Sequence, residues 1–312
     1  MAKERERSGV IQRMGPLLGL ILLVVILSII SSNFLSISNI FNVLRQVSIN
    51  ALIAFGMTFV ILTGGIDLSV GSIVALSSAL AAGMMASGMN SGIAILAGIL
   101  SGAAMGTVNG IIISRGKVAP FIATLATMTI FRGLTLVYTQ GKPITGFPES
   151  FGMIGRGYLF EIPMPVIWVL IAFVVLYVIL KFTTFGRHVF ALGGNEEATR
   201  LSGISTSQVK TLVYTISGLL AAVSGIILTS RLNSAQPTAG TSYELDAIAA
   251  VVIGGTSLSG GKGWIVGTLV GAMIIGILDN GLNLMNVSSF YQQVVKGAVI
   301  LLAVLLDRSK NK

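Results

Sequence analysis

Cysteine is absent from all 312 residues, and histidine occurs once, at position 188. These absences exclude a disulfide framework, a thiolate metal centre and a cysteine nucleophile, and they leave no imidazole pair for a metal. They say little about compartment. His188 stands beside Arg187 in a polar run and reads as a surface residue. No serine has a general base at a recognisable spacing, so a membrane-embedded enzyme has no support. Charge is scarce too: Asp, Glu, Lys and Arg make up 10% of the chain, against roughly a quarter in soluble domains. With 54% hydrophobic residues, the chain cannot cover itself with polar surface. It reads as an all-α polytopic membrane protein. The 38 glycines agree, since membrane helices tolerate and use them.

An ATP site is also missing. The run from Gly255 to Gly263 looks like a phosphate-binding loop, but Thr256 stands where the first glycine belongs and Gly263 where Ser or Thr would hold magnesium. Any energy source must be another subunit or an ion gradient.

The charges that exist are mostly basic, 20 against 11 acidic, for a net +9. They sit at the ends of apolar runs, which is what membrane orientation requires, so nucleic acid is not the partner read from them. Residues 1–14 carry Lys3, Arg5, Arg7 and Arg13 without a small-residue cleavage site, and are expected to be a cytoplasmic tail. A single transmembrane domain is expected over residues 15–307, with a second cytoplasmic tail at 308–312. About ten crossings are expected, near 16–32, 47–63, 71–86, 93–114, 118–138, 165–182, 211–230, 247–253, 264–285 and 291–306, some short or broken. Residues 33–46 read as an interfacial helix outside. This count places both termini, the Arg115/Lys117 turn and the Arg187–Lys210 loop on the inner face, and it satisfies the positive-inside rule. If a pair of the short segments is re-entrant, the number falls to eight or nine and the sidedness stands.

The longest polar run between apolar segments, residues 187–210, organises the chain. Asn195 is an N-cap residue, Glu196 and Glu197 are early acids, and Ala198, Thr199, Arg200, Leu201 and Ser202 continue a short helix to a stop at Gly203. A helix held at a membrane surface between two spans reads as a handle for a soluble partner.

Two patterns recur across the halves. Gly-Gly-x-x-Leu-Ser-x-Gly occurs at Gly64–Gly71 and at Gly254–Gly261. Paired glycines break helices, and at membrane depth broken backbone survives only inside protein or beside a wet path. The residues Gly64, Gly65, Asp67, Ser69, Gly254, Gly255, Ser257 and Ser259 therefore read as lining a translocation path, with close packing as the alternative. Glycines at every fourth position, 98 to 110 and 263 to 271, read as helix-packing stripes. Ionisable residues expected at depth are Asp67, Arg132 and Asp279, each costly there and so functional by default. Asp67 fits capping and path lining equally. Asp279, Asn280 and Asn283 read as one polar patch, and Arg132 as reaching the outer interface.

Glu197-Ala198-Thr199-Arg200-Leu201-Ser202-Gly203 resembles the Glu-Ala-Ala-x-x-x-Gly loop of ABC importer permeases, which docks in a cleft of the ATPase subunit. Ala191–Asn195, Gly64–Gly71 and Ser234–Gly240 resemble the simple-sugar, ribose-type branch of that family, and the likeness runs from about Asn39 to Asp307. The chain departs from the general pattern in having no proline after Gly203.

The resemblance implies a multi-pass bacterial plasma-membrane permease without a catalytic role or cofactor of its own, ATP and magnesium being used by a partner ATPase. It implies two permease copies forming a pore, and an extracytoplasmic binding protein delivering sugar to the outer loops, 141–161 and 231–243. Ribose is the sugar it points to first; galactose, xylose and autoinducer-type sugars stay open. The competing reading is a gradient-driven secondary sugar transporter, which would need Asp67 or Asp279 as a coupling carboxylate.

Overall fold

The computed structural model describes the backbone of residues 2–310 and the side chains of residues 15–302, 304 and 305. Side chains of the expected tail at 1–14, and residues 311–312 of the tail at 308–312, lie outside the described residues. The chain is helical almost throughout. α1 spans Ala2–Ile30, α2 Ile37–Leu62, α3 Val70–Ala86, α4 Ser91–Ser114 and α5 Pro120–Thr139. A segment with β1 (Ile144–Thr145), α6 (Glu149–Arg156), β2 (Tyr158–Leu159) and β3 (Ile162–Pro163) leads to α7, Met164–Phe182. Then come α8 (Thr184–Gly194), α9 (Glu196–Leu201), α10 (Thr206–Leu232), β4 (Ser234–Ala235), α11 (Tyr243–Ile253), α12 (Ile265–Leu284) and α13 (Ser289–Lys310).

Among the described residues, six helices, α2, α4, α5, α7, α10 and α12, are long and apolar enough to cross a membrane, with shorter apolar helices at Gly15–Ile30 and Val70–Ala86. The polytopic all-α architecture expected from composition is present.

α2 and α10 form the centre. Every residue from Val47 to Thr63 is buried, as expected of a helix apolar on all sides. α10 packs mainly on α4, and next on α2 and α3. The glycine stripe of α4 explains that closeness. A Cβ on Gly102 would stand 2.3 Å from Ala222 Cβ, one on Gly106 2.2 Å from the Tyr214 carbonyl oxygen, and one on Gly110 2.6 Å from Thr211 Cα. The second stripe seats α12 on α11, where Gly271 faces the Ala250 carbonyl. Thr107–Thr215 (2.7 Å) and Thr58–Thr268 (2.7 Å) hydroxyl pairs add polar ties between helices.

Three sequence expectations change. The interfacial helix at 33–46 and the span at 47–63 are one helix, α2. Neither glycine nor proline interrupts residues 37–55, and Ser36 caps the start by accepting from the Asn39 N–H. The expected outer loop at 141–161 is not only loop, since it contains α6. Phe151 anchors α6 with 1% exposure, the Gly155 N–H donates to Ser230 Oγ, and that hydroxyl donates to the Phe151 carbonyl. The polar run 187–210 is also largely helical, because α8 extends to Gly194.

The segments 141–161 and 231–243, both expected to be outer loops, meet in the fold. β1 pairs antiparallel with β4, Ile144 opposite Ala235 and Thr145 opposite Ser234. β2 and β3 form a separate hairpin pairing.

Candidate functional site

The site begins at the end of α8. Thr183 caps α8 by accepting from the Gly186 N–H, and Val189 and Leu192 (0% and 3% exposed) fix the helix to the core. Asn195 ends α8 and starts α9, its Oδ1 accepting from the Ala198 N–H at 2.9 Å. Glu196 and Glu197 occupy the first turn of α9, where acids complement the helix dipole. Glu196 pairs with Lys210 at 2.7 Å and Glu197 with Arg200 at 2.6 Å. The Glu197 carboxylate holds the Arg200 guanidinium above its ordinary pKa. Gly203 follows Ser202 with φ +82°, the left-handed stop that glycine adopts freely. Between Asn195 and Gly203 only Thr199 is buried. Leu201 is 77% exposed, an apolar side chain standing out among Glu197, Arg200 and Ser202.

Behind this surface the two glycine breaks meet. The Gly261 N–H donates to the Leu62 carbonyl at the end of α2, at 2.9 Å. A Cβ on Gly193 would fall 1.8 Å from that same Leu62 oxygen and 2.5 Å from Gly261 N. Gly260, at φ +81°, lies against Gly64 N, Gly193 O and Leu62 O. Three backbones thus converge without side chains between them: the end of α2, the end of α8 and the 254–264 connection. Gly64 and Gly255 also take positive φ, +76° and +89°. Ser257 is buried, Ser259 is exposed, and the Gly254 carbonyl accepts from Trp264 Nε1 at 3.0 Å.

Asp67 is fully enclosed. Its Oδ1 accepts from the Ser69 N–H (3.0 Å) and Ser69 Oγ (2.6 Å), and its Oδ2 from Ser217 Oγ (2.8 Å). Asn109 donates to Ser69 Oγ at 2.7 Å, tying α4 into the same network. Gly65 is closed off by the Tyr214 hydroxyl, which donates to Ile66 O.

The expected polar patch on α12 divides. Asp279 faces Lys296 of α13 at 2.9 Å, and Lys296 also reaches Asp246 of α11 at 2.9 Å. Asn280 instead exchanges two hydrogen bonds with Asn39 of α2 (2.7 and 3.0 Å). Asn283 is exposed and accepts from Gln292. A helix turn separates 279 from 283 on one face, whereas 280 lies about 100° round from 279. Lys296 and Asp246 went unrecognised in the sequence. The signal was there: a lone lysine inside an apolar run needs a buried acid as partner.

Arg132 is half-buried and reaches into the 231–243 segment, expected to be an outer loop. Its Nη1 donates to the carbonyls of Pro237 and Ala239, both at 2.8 Å. These carbonyls lie in a connection without helical partners, and so need a donor.

A family of permease components, described as of the branched-chain amino acid transport system, matches residues 39–304. The chain belongs to this family. Within it, the chain is 65% identical over 305 residues to the ribose import permease protein of Bacillus subtilis, covering 97% of this chain and 95% of that protein. It is 55% identical over 300 residues to the ribose import permease protein of Escherichia coli K12, covering 95% and 93%. The L-arabinose transport system permease protein of Escherichia coli K12 is 39% identical over 299 residues, covering 96% and 91%. No solved structure matches the chain. The protein is therefore a multi-pass membrane permease, and its structure supplies a surface helix, a glycine junction behind it and buried charge networks beyond.

Proposed function

We propose that this permease is the membrane-spanning subunit of an ATP-driven ABC importer for ribose in the bacterial inner membrane. The observation that carries the substrate is graded likeness. Permeases named for ribose reach 55–65% identity over nearly the whole chain, and those named for arabinose and allose 39–40%. The protein performs no chemistry. It alternates access, while a separate ATPase subunit uses ATP and magnesium.

In this reading α9 is the docking handle. Its exposed Glu197, Arg200 and Leu201 would sit in the ATPase cleft, and the glycine junction at Leu62, Gly193 and Gly261 would pass the ATPase's motion to the two broken segments. The breaks at Gly64–Ser69 and Gly254–Ser259 are proposed as the moving inner end of the path. A binding protein would deliver sugar to the joined outer segments, 141–161 and 231–243. Two copies of the chain would enclose the path, each with ten crossings and both termini cytoplasmic. This count takes α1, α3, α11 and α13 as crossings beside the six long apolar helices.

The test is uptake of radiolabelled ribose into proteoliposomes holding the permease, its ATPase and its binding protein. ATP-dependent uptake, outcompeted by ribose and not by arabinose or allose, is the expected result. Uptake that persists without the ATPase and collapses with an uncoupler would overturn the reading in favour of a gradient-driven carrier.

A further inference from the structure

Resting on the proposed import of ribose, we infer that a pocket between α3, α5 and the start of α11 is a sugar-contacting station on the path, built for a neutral polyol. The pocket is half open and offers about 410 Å³; the apolar Met128 and Leu136 line it with Gly133, beside Ser72, Thr129, Arg132, Thr241 and Glu244. That volume falls within the range of about 300–1,000 Å³ typical of small-molecule sites.

Its polar groups are the kind a sugar needs. Arg132 offers N–H donors, Glu244 a carboxylate acceptor, and Thr129 and Thr241 hydroxyls that can do either. One cation and one anion leave the pocket without net charge, so a neutral ligand meets no uncompensated field. Arg132 is already fixed, because its Nη1 holds the Pro237 and Ala239 carbonyls. Glu244 stands in the first turn of α11, where an acid complements the helix dipole.

Ser72 supplies an independent observation. It is 1% exposed, and its Oγ has no hydrogen-bond partner. Ser77 and Ser78, on the same helix, donate to carbonyls four residues back, at 2.6 and 2.7 Å. The equivalent carbonyl for Ser72 belongs to Leu68, ahead of the helix start at Val70, so that outlet is closed. An unpartnered buried hydroxyl costs about 1–3 kcal/mol, and a ligand hydroxyl would relieve it once a small shift at the pocket wall opens Ser72 to the pocket. The charges also argue for a wet setting. Arg132 lies past the midpoint of α5, and a guanidinium and carboxylate turned to hydrocarbon would be expensive there.

Gly133 gives the perturbation, since a Cβ added to it meets nothing within 4 Å. Gly133→Phe would attach a ring at the pocket lining through a Cβ that meets no neighbour. In proteoliposomes with saturating loaded binding protein, Gly133→Phe should lose ribose transport, whereas Leu134→Phe, one position on and outside the lining, should keep it. Assembly of both is judged by copurification with the ATPase. Thr241→Cys gives a second measurement in a chain with no other cysteine. A large excess of ribose should slow its modification by a small methanethiosulfonate reagent several-fold, and an uncarried disaccharide should not. Wild-type transport by Gly133→Phe, or equal labelling with and without ribose, would overturn the station. A wild-type complex that imports no pentose would instead sink the proposed function beneath it.

Discussion

Alanine at Gly193 is the sharpest probe of the junction behind α9. The new Cβ would stand 1.8 Å from Leu62 O and 2.5 Å from Gly261 N, whereas ordinary contact begins near 3.4 Å. Both obstacles are backbone, so no side chain can swing away. Clearing Leu62 O requires a separation of about 1.6 Å, the difference between 3.4 and 1.8 Å. That movement breaks the Gly261–Leu62 hydrogen bond, worth about 0.5–1.5 kcal/mol, and adds an overpacking cost of about 1–3 kcal/mol. Alanine's better helix propensity returns about 1 kcal/mol. A net loss of about 0.5–3.5 kcal/mol remains, concentrated where α8 leaves the core. The neighbouring Gly194 is the control, because its Cβ would meet nothing within 4 Å and its φ is not positive.

The assay compares ATP hydrolysed per ribose carried in proteoliposomes, together with the thermal inactivation midpoint of the assembled complex. Gly193→Ala should raise the ATP cost per sugar or stop uptake, and should lower the midpoint. Gly194→Ala should match wild type in both. Wild-type coupling and stability in Gly193→Ala would refute the close junction. Equal damage from Gly194→Ala would show that any added side chain in this segment, not the approach of three backbones, causes the loss.

Lys296→Met strands two carboxylates that are only 5–6% exposed. It should destabilise the permease by about 3–5 kcal/mol, seen as lost thermal stability in detergent, and adding Asp246→Asn and Asp279→Asn should recover most of it. Gly203→Val has open space but must hold φ +82°, at about 1–2 kcal/mol; it should insert normally and lose binding-protein-stimulated ATPase activity, and full stimulation would refute α9 as the handle. Glu197→Lys removes an exposed ion pair of little stabilising value and should give the same phenotype with unchanged membrane levels. Single cysteines should label from outside at exposed Ser150 and only from inside at exposed Ser205; outside labelling of Ser205 would reverse the topology. Ser114 and Ser207 are poorer probes because they are half-buried and bonded to each other at 3.0 Å.

What could be read from the chain was what local rules determine. Asn195 and Gly203 are legible because a cap and a left-handed stop depend on a few adjacent residues, and both are in place. The α4 stripe is legible because small residues every fourth position leave only one use for that face. The continuity of α2 was hidden because residues 33–46 mix Ser and Asn with Phe and Ile like a surface helix. Their polar groups are satisfied at long range instead, with Asn39 bonded to Asn280, 241 residues away. Distance hid Lys296 and Asp246 as well. Arg132 looked like a residue seeking the interface because its acceptors, two backbone carbonyls, have no signature in side-chain sequence.

The duplicated glycine motif shows where pattern and structure part. The first copy places an acid at its fourth position, and Asp67 uses it to gather Ser69 and Ser217 into a closed turn ahead of α3. The second copy has Ser257 there, and its N–H donates to the Lys262 carbonyl, so that the connection closes on itself. One copy is locked by a buried carboxylate and the other by backbone turns. Their difference in polarity gives them different freedom to move, because hydrogen bonds to a buried carboxylate are stronger than bonds between neutral groups such as Ser259 N–H to Ser257 Oγ and Trp264 Nε1 to Gly254 O. The contact between them runs through Gly261 and Leu62, so a pull on α8 would reach the looser second copy first and the Asp67 turn only through α2. If the inner end of the path opens by unequal steps, the 254–264 connection is the segment that yields, and hydrogen exchange on the ATP-bound complex should rise there while residues 66–70 stay protected. The reverse order would mean that the Asp67 network is the gate and the second copy its fixed support.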